Sequence, residues 1–312
     1  MAASTQALSP TRKLNIGWAF WIVPAVLILA TFLFYPIGYT TLLSFFEWNG
    51  FGTNVFETFV GLDNYLIATT DKFFQTSFRN TLLFVGAMIS VELFFAFTLS
   101  VFIFLAHFRG AAWLRGIIFF PSVLSAVVVG IVWRNVVFLR EGLIDTVTST
   151  LGLPGIYPLG DIDLAFYMII LVGIWQNIGF NLVIFYAGLQ SLDSEVLESA
   201  QIDGAGFWQI IVRVIAPLQI HIILVNIILN VIGGVKVFDL VFSLSNSKGR
   251  GALQVAHITD VFATYMHFNS FGGALAGGNR RLGYAAAIAV IMMIVMLIFA
   301  TFRQRLRRTF DI

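Results

Sequence analysis

Cysteine is absent from the 312 residues, and acidic and basic side chains together make up only 11% of them. The first absence excludes disulfides, thiolate metal sites and cysteine nucleophiles. The second excludes an ordinary soluble domain, in which about a quarter of residues are charged. Histidine is scarce as well: His107, His221, His257 and His267 are scattered without metal-ligand spacing. Each reads as an interfacial or cavity-lining polar group, so neither a metal site nor a catalytic residue is expected. No GxxxxGK[ST] run occurs, so the chain cannot cradle a nucleotide by that route, and any ATP chemistry would belong to another subunit.

What is present is apolar side chain. Hydrophobic residues occupy 59% of positions and the mean hydropathy is +0.90, which marks an integral membrane protein. Runs long enough to cross about 30 Å of hydrocarbon recur six times: Trp18 to Phe46, Thr81 to Leu105, Gly116 to Phe138, Leu164 to Leu189, Ile215 to Val235 and Tyr284 to Phe302. They lack the alternation of a membrane barrel, and backbone groups in lipid must be satisfied within the span. The expected fold is therefore all-α: a polytopic membrane protein with six transmembrane helices. Pro24 and Pro36 predict a tilt or kink in the long first run. The expected organisation is a tail over 1–17, a transmembrane domain over 18–303 and a tail over 304–312. No cleavable signal peptide is expected, because "MAASTQALSPTRKLN" is polar and the next run is too long for a signal core.

Basic residues beside the spans set the orientation. Arg12 and Lys13, then His107, Arg109 and Arg115, then "RQRLRR" from Arg303 to Arg308 fall on one side, read as the cytoplasm, with both termini inside. The opposite connectors carry dispersed basic residues among Glu47, Glu57, Asp63, Asp71, Glu141, Asp145, Asp161 and Asp163. The net charge of +2 gives no sign of nucleic acid; the basic tail is accounted for by topology and attraction to the inner leaflet.

One polar connector stands out, "LESAQIDGAGFWQIIVRVIAPL" from Leu197 to Leu218. Asp193 and Ser194 can cap a short helix, Glu195 sits in its first turn, and Asp203-Gly204 supplies a terminator. A second short helix, from about Phe207 to Ile215, presents Phe207, Trp208, Ile211 and Val214 at helical spacing before Pro217. Composition alone leaves two readings open: a docking element, or an amphipathic elbow on lipid headgroups.

This stretch closely resembles the signature loop, E-A-A-x-x-D-G-A ending I-x-L-P, of the inner-membrane permease subunits of bacterial ABC importers. Glu198, Ala200, Asp203, Gly204, Ala205 and Pro217 match, while Ser199, Val214 and Ala216 depart conservatively. Further segments are similar to the carbohydrate-uptake, maltose-type branch: "FYPIGYTTLLSF", "FVGLDNY", "NTLLF", "GIWQNIGF", "AGLQSLDSEVLESA" and "GYAAA", in order along nearly the whole chain. The resemblance implies that this chain is half of a permease heterodimer, with two ATP-binding subunits beneath it and an extracytoplasmic solute-binding protein delivering a sugar or related solute. ATP and magnesium would bind the partner subunits, and this chain would hold no cofactor. The loop at about 190–217 would be the coupling helix, with Glu198, Ser199, Ala200, Asp203, Gly204, Ala205 and Phe207 contacting an ATPase subunit and transmitting its closure as alternating access. The family usually has proline where Asp193 stands, a T-x-G-G-P stretch where this chain reads "LSNSKGRG", and often an asparagine where Ile144 and Asp145 stand. The connector from Glu47 to Asn80 is too short for the extra outer domain of some relatives.

Polar residues within spans should face a cavity or another helix. Asn177 and Asn181 share a face of the fourth span beside Gln176 and Phe180, offering amides for hydroxyls and an aromatic face for a ring. The resemblance implies that this segment, with Lys236, Val237 and Asp239 near Gly233 and Gly234, lines the substrate path. Lys236 has two readings: an ion pair with Asp239, favoured by the cost of an unpaired buried charge, or a site for an anionic substituent. Asn177 and Asn181 could equally serve interhelical hydrogen bonding. Glu92, the carboxylate well inside a span, reads as a satisfied packing contact, although an ion-coupled secondary transporter could use it. A non-transporting scaffold would explain the spans and leave the docking loop unexplained.

Overall fold

The structure, a computed structural model, describes residues 16–51, 55–106, 109–138, 140–161, 163–245, 257–271 and 280–309. Arg12, Lys13, His107 and most of "LSNSKGRG" lie outside them.

Four continuous helices are long and apolar enough to cross a membrane: Trp21–Leu43, Lys72–Ala106, Ala165–Leu189 and Leu282–Thr301. Two bent pairs, Ala111–Val123 with Ala126–Thr150 and Phe207–Leu218 with Ile220–Val235, supply the third and fifth spans and bring the number to six. The first span runs as one continuous helix over Pro24 and Pro36; Ala30–Phe34 is a π segment ahead of Pro36, and the Tyr35 amide bonds Ala30 O five residues back. Proline cannot donate, so the local ladder re-registers there. This helix buries none of its apolar window within the chain, and its surface is left to lipid or another subunit.

The remaining spans form the bundle. The second and third pack along the fourth, and the fifth and sixth pack together against the second. Gly179 brings the fourth span against the third, where a Cβ would lie 2.1 Å from Ile118 O. The fifth-span helix runs through Gly233 and Gly234 to Val235. Gly234 is a contact point, since a Cβ there would lie 2.8 Å from Val85 Cγ2.

Three spans depart from their sequence boundaries: the second begins at Lys72, capped by Asp71, well ahead of the expected Thr81. The third is broken at Leu124 and Ser125, both extended, and its halves meet at 92°. The fifth begins at Ile220, while Ile215 belongs to the elbow helix that turns through 80° at Gln219. Each break follows a proline, Pro121 in the third span and Pro217 ahead of the fifth, but hydropathy summed over a span-length run registers neither.

At the end of the bundle opposite the Leu197–Leu218 connector, polar side chains staple the loops. Asn64 Nδ2 donates to Ser44 O and Phe46 O at 2.9 and 3.0 Å. Asn80 Nδ2 reaches Ile258 O and Asp260 O, and Thr81 Oγ1 accepts from the Phe262 amide at 2.9 Å. Asp71 caps the second span by accepting from the Phe73 amide at 2.9 Å, and also receives the Tyr265 and Tyr284 hydroxyls at 2.5 and 2.8 Å. Partial burial raises its pKa, but the two phenols and the amides of Phe73 and Phe74 outweigh this and hold the carboxyl below its ordinary range.

Candidate functional site: a mid-membrane cavity and a cytoplasmic loop

The broken third span exposes the carbonyl of Leu124 in the bilayer interior, where an orphan acceptor is costly. Gln176 of the fourth span answers it, with Nε2 donating to Leu124 O at 3.1 Å while its side chain is buried. One turn on, Asn177 is exposed and Phe180 is 48% exposed, both toward open space. The fifth span ends beside them at Val235, Lys236 caps its C-terminus, and Asp239 opens the helix Asp239–Ser245.

These elements enclose a cavity of about 330 Å³. Gln176, Asn177, Phe180, Asn181, Lys236, Val237 and Asp239 all line it, joined by Phe84, Met88, Leu229, Asn230 and Phe238. Asn230 escaped the sequence reading, although it has a signal there: Asn226 and Asn230, four apart in an apolar run, repeat the Asn177 and Asn181 pattern. Phe84, Met88 and Phe238 have no such signal, because an apolar side chain beside a cavity looks like any other apolar residue of a span.

The polar groups divide by what they are free to bind. Asn177 Nδ2 turns back to Gly173 O of its own helix at 2.9 Å. Asn181 is buried, with its Nδ2 donating to Glu92 Oε1 and its Oδ1 accepting from Asn230 Nδ2 at 3.2 Å. Its carboxamide therefore joins the second, fourth and fifth spans. The favoured ion pair of Lys236 with Asp239 does not form, whereas His257 and Asp260 do approach to 3.2 Å. Helix termini explain the difference. Lys236 sits at the negative end of one dipole and Asp239 at the positive end of the next, so each charge is offset without the other. Both side chains stay exposed at the cavity.

The cytoplasmic loop is built as a lever with one anchored face. Ser194–Ile202 is helical, and Asp193 Oδ1 accepts from the Glu195 amide at 3.0 Å. The helix ends at Gly204, whose φ of +75° only glycine adopts readily. The Ala205 amide returns to Ala200 O at 3.0 Å, and Gln209 Oε1 accepts from the Gly206 amide at 2.8 Å to start the next helix. Leu197, Ile210, Ile211 and Ile215 pack on Val101 and Leu189, fixing the loop to the adjoining ends of the second and fourth spans. Ile211 thus turns inward, whereas Phe207 and Trp208 stay outside. Glu198, Ser199, Asp203, Gly204 and Phe207 are exposed, Ala200 and Ala205 are half-buried, and Ile202 is 86% exposed at the tip.

Apolar spans around a cavity with polar groups in its lining, joined by a glycine-hinged connector, fit a membrane transport subunit. Residues 93–311 match the family of binding-protein-dependent transport system inner membrane components, and the chain belongs to it. The multiple sugar-binding transport system permease protein MsmF of Streptococcus mutans is 30% identical, over 95% of this chain and 96% of its own. The osmoprotective compounds uptake permease protein GgtC of Synechocystis is 29% identical, over 88% and 93%. A chain of the bacterial alginate ABC transporter, solved with an alginate pentasaccharide-bound periplasmic protein, superposes with a TM-score of 0.78 at 22% identity, covering 96% of this chain and 97% of that one. This chain is accordingly a multi-pass inner-membrane permease subunit of an ABC importer, a transport component and not an enzyme.

Proposed function

We propose that the chain carries a saccharide or a related polyhydroxylated solute through the cavity between the second, fourth and fifth spans. One observation carries this reading: exposed amide, aromatic and charged groups from Asn177, Phe180, Lys236 and Asp239 meet around a single volume of about 330 Å³ in the middle of the bundle. Amides match hydroxyls, and a ring face matches the apolar face of a pyranose. The names of relatives agree, including MsmF and the lactose transport system permease protein LacF of Rhizobium radiobacter.

The working assembly in this proposal is a heterodimer with a second permease subunit, two ATP-binding subunits that hold ATP and magnesium, and an extracytoplasmic binding protein. Both termini lie in the cytoplasm. The loop at 190–217 docks on an ATPase subunit through Glu198, Asp203 and the exposed apolar tip, and its anchored face passes ATPase closure to the second and fourth spans as a rigid-body rotation. Docking is favoured over lying on headgroups because Glu195, Glu198 and Asp203 surround the apolar residues, and anionic lipid repels such a rim.

The test is reconstitution of the complex with its partners and measurement of ATPase stimulation by binding protein loaded with members of a sugar panel. Phe180→Ala and Asn177→Ala should raise the half-saturating concentration while leaving assembly intact. Unchanged values in both variants would remove the cavity from the path. Loss confined to Lys236→Met would assign an anionic sugar.

A further inference from the structure

Glu92 is fully buried at the end of the π segment Met88–Glu92, where the extra residue in the turn rotates the side chain into the bundle. It does not line the cavity and lies behind Asn181, which does. Asn181 Nδ2 donates to Glu92 Oε1, Asn181 Oδ1 accepts from Asn230 Nδ2 at 3.2 Å, and Asn230 Nδ2 also donates to Asn226 O at 3.0 Å. Glu92 Oε2 has no partner. A polar chain therefore runs from the second span to two carboxamides in the cavity wall.

No countercharge reaches it. Ala165–Leu189 and Ile220–Val235 contain no aspartate, glutamate, lysine or arginine, and His221 is exposed at the start of the fifth span. Arg79 lies 13 residues before Glu92, about 20 Å along the helix. An enclosed carboxyl group with one oxygen unpartnered is costly to hold there. Packing alone does not call for it, because an apolar residue of similar size fills the same space without burying an unpartnered oxygen.

We propose that Glu92 is a positioning residue: its carboxyl oxygen accepts from Asn181 and so sets how the carboxamides of Asn181 and Asn230 face the transported solute. This rests on the cavity reading above. Without the acceptor, Asn181 turns to another partner and the polar wall changes, while the apolar contacts of the second span persist.

The test uses the complete reconstituted complex with lactose, methyl α-glucoside and an alginate trisaccharide as probes, reading half-saturation and maximal ATPase stimulation. Glu92→Gln keeps an acceptor and should stay within about twofold of wild type, whereas Glu92→Leu should assemble and reach the same maximum with half-saturation raised about fivefold to tenfold, the cost of one hydrogen bond. Glu92→Leu with wild-type half-saturation, or failing to assemble, would assign Glu92 to packing and overturn the proposal. Inactivity of Glu92→Gln would overturn it too, by showing that a titrating proton is required. Phe180→Ala separates the two levels: if it weakens half-saturation and Glu92→Leu does not, the positioning role alone fails. If Phe180→Ala changes nothing, or no probe stimulates the wild-type complex, the saccharide cavity fails and the positioning role with it.

Discussion

Gln176 closes the broken third span from across the bundle, its amide nitrogen 3.1 Å from the carbonyl oxygen of Leu124. A residue that the family resemblance assigns to the transport path thus also satisfies the bend in the third span. The break leaves a carbonyl without an intrahelical partner, and span-to-span hydrogen bonding is how a membrane bundle accommodates it.

Removing the amide should therefore destabilise the subunit before it alters transport. Gln176→Leu leaves the Leu124 carbonyl unsatisfied at a cost of about 1–3 kcal/mol, and should lower the melting temperature in detergent. Asn177→Ala, which gives up a bond only to its own helix, should not. Equal stability of the two variants would count against the capping role.

At Gly204 the demand is on the backbone alone, since a Cβ there would meet nothing within 4 Å. Gly204→Val should force the loop out of its turn, at about 1–2 kcal/mol or more, and abolish ATPase coupling while membrane insertion persists. Gly204→Asn should be better tolerated, because asparagine visits the left-handed region. Normal coupling by the valine variant would show that the turn is not required.

Asp71 predicts a direction for pH. Its carboxyl titrates below the ordinary value in the folded protein, so the folded state holds fewer protons than the unfolded one in that window. The stabilisation is present above the ordinary carboxylate value of about 4 and is lost as pH falls through the lowered one. Melting temperature followed from pH 6 downward should drop in wild type more steeply than in Asp71→Asn, which should already be less stable at neutral pH. Parallel curves would refute the network's contribution.

The cysteine-free chain offers a direct check of orientation. Single cysteines at Thr309 and at Ser199 should react only with reagent supplied from the cytoplasmic side, and one at Asn246 only from outside. Labelling of Thr309 from outside would reverse the proposed topology.

The number of spans, their all-helical character and the glycine-hinged lever were determined by the sequence itself. The reason is local: a run of apolar side chains has no alternative to helix in lipid, and Asp203-Gly204 terminates a helix by backbone sterics, whatever surrounds it. Asn177, Phe180 and Asn181 were visible as well, because a polar group in an apolar run marks itself. The breaks at Leu124 and Gln219, the separation of Lys236 from Asp239, and the recruitment of Asn181 by Glu92 and Asn230 were decided only by tertiary structure. Residue 92 meets residue 181, and residue 176 meets residue 124, across helices whose relative rotation depends on close contacts such as Gly179 on Ile118. Hydropathy is blind to that rotation, since lipid and bundle interior are equally apolar, and so one-dimensional pattern finds the spans but not the faces they turn to one another.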